Sequence, residues 1–335
     1  MWSVRISGTS LLSKESQVPS YSRARVRLVG VAAAAALFPL TLAACGSGGG
    51  NGGSGGAGGS TGAQSGGVQL VSPGKLTVCT HLTYKPFEFN QDGKTVGFDI
   101  DIVDLAAKEL GVETQVVDID FEQITTGAVF KAKKCDIAAA GTTITDARKQ
   151  ATLFSDPYFD ATQALLTKKG SGVTDLASLK GKKLGVQTGT TGQEYGTKNQ
   201  QANGYEIVVF EDLPLGVNAV KAGRVDAAIN DNGVLYDFAK DNPDTQVVAE
   251  FATGEHYGIS AMKDDANATA IIGKVNAAIT KAKQDGSYDE IYKKWFGTTP
   301  GVHEQGSTGT ATGTATGTAT GTATGTASTP AASAS

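Results

Sequence analysis

Between residues 70 and 300 the chain alternates between short strand-like runs and helical periods, and it does so twice. This restricts the possible folds more than any other feature. Lys75–Thr80 (KLTVCT) reads as a strand. Residues 99–110 place Ile102, Leu105, Ala106 and Leu110 on one helical face, with Gly111 as the stop. Residues 113–119 then read as strand, 125–133 as helix and 136–140 as a strand buried on both faces. A second series follows: strand Lys183–Gln187, a helix from Gly192, strand Glu206–Phe210, helix 213–222, strand 226–230, helix 233–240 and strand 246–251. Such alternation predicts βαβ units on a mainly parallel sheet, and its restart predicts two α/β lobes. A strand-like run at 257–263, a long amphipathic helix through Ile271, Ile272, Val275 and Ile279, and a short one holding Tyr288, Ile291, Tyr292 and Trp295 have no new sheet to build. They are expected to return to lobe one.

The two ends of the chain lack the means to join either core. Arg23, Arg25 and Arg27 precede an apolar segment, 28–42, that is too short and Pro-interrupted for a good spanning helix, and Leu42-Ala43-Ala44-Cys45 closes it. Basic region, apolar region and box, in that order, resemble a bacterial lipoprotein signal. The resemblance implies a signal peptide over 1–44, a lipidated Cys45, and a protein anchored on the extracytoplasmic face of the plasma membrane. An uncleaved anchor helix is the alternative. Residues 45–69 form a Gly/Ser-rich linker without side chains to bury, so G-x-G-x-x-G matches inside it carry no meaning. The tail, 301–335, repeats TGTA from Thr308 onward and has no apolar groups large enough to pack.

Charge excludes one class of partner. With 29 basic and 33 acidic residues and no basic stripe in the body, nucleic-acid binding has no electrostatic footprint. Small ligands of open α/β sheets sit beyond the carboxyl ends of strands, so the residues after each strand are the candidates. After 136–140 come Gly141, Thr142, Thr143, Thr145, Asp146 and Arg148. Freed backbone N–H groups, a hydroxyl and a guanidinium fork suit a carboxylate. The alternative is a Thr145 helix cap with Arg148 as a surface partner of Asp146. After Lys183–Gln187 comes TGTTG and a helix start, suited to an anion or to ordinary capping. The strand 226–230 runs into Asp231, a carboxylate placed for a cation. A carboxylate receptor facing an ammonium receptor describes an α-amino acid site. Tyr84, after the first strand, and Phe121, after the second, are candidate aromatic walls.

Seven segments occur in order from residue 75 to 297: TVCTHLTYKPFEF, VGFDIDIVDLAAKELG, CDIAAAGTTITDAR, FSDPYF, LKGKKLGVQTGTTGQEY, AGRVDAAINDN and EIYKKWFG. Together they resemble the polar-amino-acid-binding proteins of bacterial ABC importers, the family of the histidine-, lysine/arginine/ornithine- and glutamine-binding proteins. The resemblance implies the type II periplasmic-binding-protein fold: two α/β lobes joined by two hinge strands, closing on one amino acid. Lobe one is expected at 70–162 and 256–300, and lobe two at 163–255. It further implies that Arg148 binds the α-carboxylate, assisted by Thr143 and the backbone around Gly141 and Thr191. Asp231 then takes the α-amino group with help from the Ala140 carbonyl, and Tyr84 and Phe121 flank the ligand. A monomer delivering free amino acid to ABC permease subunits is the implied role.

Specificity rests on His81, Glu122, Gln187 and Asn230. Where relatives that take basic amino acids commonly carry an acid near the first strand's end, this chain has His81, whose neutral ring donates or accepts. Gln187 and Asn230 add neutral polar groups, which favours glutamine, asparagine or glutamate, while Glu122 remains available to a cation. Cys79 and Cys135 are the cysteines left after Cys45, and an exported protein invites a disulfide between them. Against it, parallel pairing leaves them about three residues, roughly 10 Å, out of level. His81, His256 and His303 show no metal-ligand spacing, and no cofactor motif is present. A chemosensory binding module and a dehydratase-like enzyme on the same fold are the rival functions; for the enzyme, Glu122 and His81 are the only acid or base candidates.

Overall fold

The computed structural model describes residues 67–300. The expected signal peptide with Cys45, most of the linker and the tail lie outside the described residues. The folded body begins earlier than residue 70: Val68 is buried, and the Gln69 N–H donates to Asn267 Oδ1 at 2.8 Å.

In chain order the elements are β1 (Lys75–Thr80), the hairpin β2 (Phe89–Gln91) and β3 (Lys94–Val96), α1 (Phe98–Leu110), β4 (Glu113–Asp118), α2 (Phe121–Thr125), α3 (Ala128–Lys131), β5 (Ile137–Ala138), α4 (Asp146–Ala151) and β6 (Thr152–Phe154). Then follow β7 (Phe159–Lys168), β8 (Lys183–Gln187), α5 (Thr191–Asn203), β9 (Glu206–Phe210), α6 (Leu213–Lys221), β10 (Ala227–Asp231), α7 (Asn232–Asp241) and β11 (Thr245–Tyr257). The described chain closes with β12 (Ser260–Met262), α8 (Ala266–Asp285) and α9 (Ser287–Phe296).

Two five-stranded sheets result, ordered β4-β1-β5-β12-β6 and β11-β7-β10-β8-β9. They are the sheets of lobe one and lobe two. Strands joined through helices pair in parallel, as β1 does with β4 and β8 with β9. β7 runs antiparallel to β10, and β12 antiparallel to both β5 and β6. The reason is connectivity: β7 enters lobe two and β12 re-enters lobe one directly, with no helical crossover to restore direction. The sheets are therefore mixed, each with one reversed strand.

The connection between lobes is a long antiparallel pair. β7 and β11 run from the pairing Lys168–Thr245 in lobe two to Phe159–Tyr257 beside lobe one. Tyr257 there bridges Thr143, and the Tyr158 N–H donates to the Tyr257 carbonyl at 3.0 Å. The strand expected at 246–251 is thus only the middle of β11, and β7 had no counterpart in the sequence reading. Helices α8 and α9 pack back on α1 of lobe one, as expected. Phe98 on α1 meets Tyr288, Tyr292 and Phe296 at ring distances of 5.3–5.9 Å. Helix α1 is preceded by its N-cap Gly97, whose φ is +144° and where a Cβ would lie 1.9 Å from the Phe87 carbonyl oxygen, so only glycine fits.

Cys79 and Cys135 are bridged, with Cα atoms 5.7 Å apart. The three-residue offset is present, since Cys79 pairs with Ala138, but the distance of roughly 10 Å holds only if the chain before the strand is extended. Instead β5 begins only at Ile137, and the chain turns out of α3 through Lys133 at positive φ. The Asp136 N–H then pairs with the Thr77 carbonyl at 2.8 Å, which brings Cys135 back over β1.

Candidate functional site

Loops and strand ends after β1, β5, β8 and β10 converge on one cleft, lined from both lobes. Arg148 and Asp231 both line it, the first from lobe one and the second from lobe two. The helix cap of the alternative reading is present too: Thr145 Oγ1 accepts the Arg148 N–H at 3.1 Å. The surface pairing is not, because Asp146 faces Lys149 instead and the Arg148 side chain turns inward, 9% exposed. Its Nη1 donates to the Thr143 carbonyl at 2.8 Å and its Nη2 crosses to the Gly189 carbonyl of lobe two at 3.1 Å. The Phe121 ring lies 5.3 Å from the guanidinium carbon, a cation–π contact. Burial lowers the Arg148 pKa while Asp231, Glu194 and Glu255 oppose that shift.

Asp231 ends β10 and is also the residue before α7, buried at 5% exposure. It accepts hydrogen bonds from the Tyr84 hydroxyl at 2.8 Å, from the Tyr257 hydroxyl and from Gln163 Nε2. Burial first, then the charge of Glu255, pushes its carboxyl up to about 6 against the pull of those three donors. Tyr84 is therefore more than a wall: its hydroxyl, 2.8 Å from Asn230 Oδ1 as well, ties lobe one to lobe two.

Beneath Tyr84 lie Ala140 and Gly141. Gly141 has φ +52°, and a Cβ there would come within 2.7 Å of Tyr84 Cε1. Its N–H was expected to assist a ligand carboxylate, but donates to Asp99 Oδ2 at 2.9 Å. Asp99 also takes the Tyr158 hydroxyl at 2.7 Å, and burial pushes it up to about 6. At the start of α5, Thr190 caps the helix by accepting the Gln193 N–H, and Thr191 lines the cleft beside it.

The cleft is also lined by His81, Glu88 and Gln187. His81 Nδ1 lies 3.1 Å from the Ile119 carbonyl, which makes it the protonated nitrogen, and Nε2 meets no described partner. Glu88 is fully buried beside Asp99, with which its carboxyl shares a hydrogen bond that favours Glu88 as the protonated partner. Burial and the neighbouring Asp99 push its pKa far up.

Two specificity candidates do not reach the ligand space. Glu122 is exposed, because α2 begins at Phe121 and the next residue is turned about 100° around the helix axis. Asn230 lies behind the cleft, where its side chain engages Tyr84 and, at 3.2 Å, Gln187 Oε1. Glu88, Gln163, Glu255 and Tyr257 were missed by sequence reasoning. Period-two spacing on a crossing strand puts Glu255 and Tyr257 on one face, a signal available only once β11 is recognised. Among the described residues there is no cluster of His, Cys, Asp and Glu able to hold a metal, and no helix long and apolar enough to cross a membrane.

The family described as bacterial extracellular solute-binding proteins, family 3, matches residues 76–298. A probable histidine-binding protein of Neisseria gonorrhoeae is 34% identical over 79% of this chain and 94% of its own length. The ABC transporter glutamine-binding protein GlnH of Bacillus subtilis is 37% identical over 62% of this chain and 75% of its own. An ancestral arginine-binding protein, solved with arginine and with glutamine, is 40% and 41% identical, with a TM-score of 0.62 in both forms over 67% of this chain and 98% of each solved chain. On the match over 76–298, and on a cleft lined from two lobes with Arg148 and Asp231 in it, the chain belongs to the family-3 extracellular solute-binding proteins.

Proposed function

We propose that the protein captures one free polar amino acid by closure of its lobes and presents it to ABC permease subunits. The observation that carries this reading is the pairing of a buried guanidinium from lobe one with a buried carboxylate from lobe two in a single cleft. A zwitterion satisfies both at once only when the lobes are together, so its binding shifts the population toward closure. The ligand's side chain points toward His81, Glu88 and Gln187. Glu88 is kept protonated by burial and by the charge of Asp99 behind it, and that charge disfavours glutamate and favours a neutral or cationic side chain, an amide or a guanidinium. The glutamine- and arginine-binding relatives support that class. We read the protein as a carrier and not a catalyst, anchored through Cys45.

A thermal-shift screen of the twenty amino acids tests the reading, since a ligand of the native state alone raises the melting point. Amide- or guanidinium-bearing ligands are expected to give the largest shifts and to be recovered unchanged. A flat response to all twenty rejects amino-acid binding, and chemical conversion of the ligand rejects the carrier role. Cys45→Ser is expected to release the protein into the medium; continued membrane retention rejects the lipid anchor.

A further inference from the structure

Glu255 stands two residues before Tyr257 on β11, half-buried. Tyr257 reaches Asp231, but Glu255 is held elsewhere. Its Oε2 accepts the Thr191 hydroxyl at 2.7 Å and the Thr143 hydroxyl at 3.1 Å, and Gln163 Nε2 lies 3.3 and 3.2 Å from its two oxygens. One carboxylate thus joins the loop after β5 in lobe one, the first residue of α5 in lobe two, and β7 between them. The same Gln163 amide donates to Asp231, so both charged ends of the proposed ligand site connect to Glu255.

A hydroxyl has a single proton. Once donated to Glu255, the protons of Thr143 and Thr191 are not available to a ligand carboxylate. The backbone N–H groups of these two threonines bond to no described residue, and that of Thr191 stands at a helix start, where such groups favour anions. We propose that Glu255 is a positioning residue: by engaging both hydroxyls it leaves the Thr143 and Thr191 N–H groups, with Arg148, to grip the ligand carboxylate, and it ties the closed lobes together so that ligand leaves slowly. The inference rests on the amino-acid reading above.

The test uses the full chain and the amino acid that gives the largest thermal shift among the twenty, with association and dissociation rates measured by stopped-flow fluorescence. Glu255→Ala is expected to raise the dissociation rate about tenfold and to leave association within about twofold, as lost charge-assisted contacts across a closed interface do. Glu255→Gln, which keeps an acceptor oxygen, is expected to restore most of the wild-type rate. In a T143V/T191V background, E255A is expected to add less than about twofold, because the hydroxyls it acts through are gone. Wild-type dissociation rates in both Glu255 variants, or an undiminished E255A effect in the T143V/T191V background, overturn the proposal. Failure of wild type to respond to any of the twenty overturns the amino-acid reading and this inference with it.

Discussion

The two ends of the cleft use their polar groups differently. At the end holding Arg148 and Asp231, almost every functional atom is already paired: Asp231 has three donors, Arg148 two carbonyls, and the hydroxyls of Thr143 and Thr191 both serve Glu255. At the end holding His81 and Glu88, one imidazole nitrogen meets no described partner, and Glu88 is a buried acid whose neighbour is another acid, Asp99. A densely bonded end is preorganised and has little freedom to choose among ligands, which suits the part common to all α-amino acids. An end with unmet polar atoms discriminates, because a ligand lacking the matching group leaves those atoms buried and unsatisfied.

That contrast orders the expected effects. Arg148→Ala removes the cation of the paired end together with its bridge to Gly189, and is expected to weaken binding of every amino acid by about 1,000-fold in titration calorimetry. An effect confined to one ligand breaks the division of labour. Asp231→Asn keeps the shape but not the charge, and is expected to cost about 100-fold, again equally across ligands.

The pH profile separates the same carboxylate from the fold. Asp231, held at about 6 by burial, is ionised above that pH and protonated below it. Affinity for an ammonium is therefore expected to be level above about pH 6 and to fall by up to about tenfold per unit below it. Stability without ligand runs the other way. Asp99 and Asp231 have folded pKa values raised from 3.8 to about 6, so their stabilising contribution is complete below about 3.8 and is lost as pH rises through about 6. Opposite trends in affinity and in melting temperature are the signature; parallel trends contradict it.

Smaller effects belong to the other end. Glu88→Gln exchanges an acid kept protonated by burial for a neutral amide, and is expected to change the preference between arginine and glutamine by no more than about threefold. His81→Ala, which removes one partly engaged ring, is expected to change affinities by no more than about threefold and differently for each ligand. A uniform loss in either variant would move that residue to the paired end of the cleft.

Much of this was readable before the structure, and the failures have physical causes. Strands β8 and β9 fell at their predicted bounds because each is a short apolar run between clear stops. Arg148, Thr191 and Asp231 follow strands that end at the cleft, where the strand-end rule looks. The hinge strands were harder. β7 mixes alternating and fully buried positions, and β11 carries bulges between Val247 and Ala249 and between Phe251 and Glu255, so neither keeps one period along its length. Residues that work from those strands, Gln163, Glu255 and Tyr257, were hidden for the same reason. Glu122 follows the second strand end in sequence, where an acid could meet a cation, yet α2 begins at Phe121 and helical rotation turns the next residue to solvent.

The central claim is that both charged groups of one small zwitterion are held at once, one by each lobe. Calorimetry on the amino acid with the largest thermal shift, on its N-acetyl derivative and on its α-carboxamide tests it directly. The account predicts that removing either charge costs about 100-fold or more in affinity. Near-native binding of either derivative would contradict it.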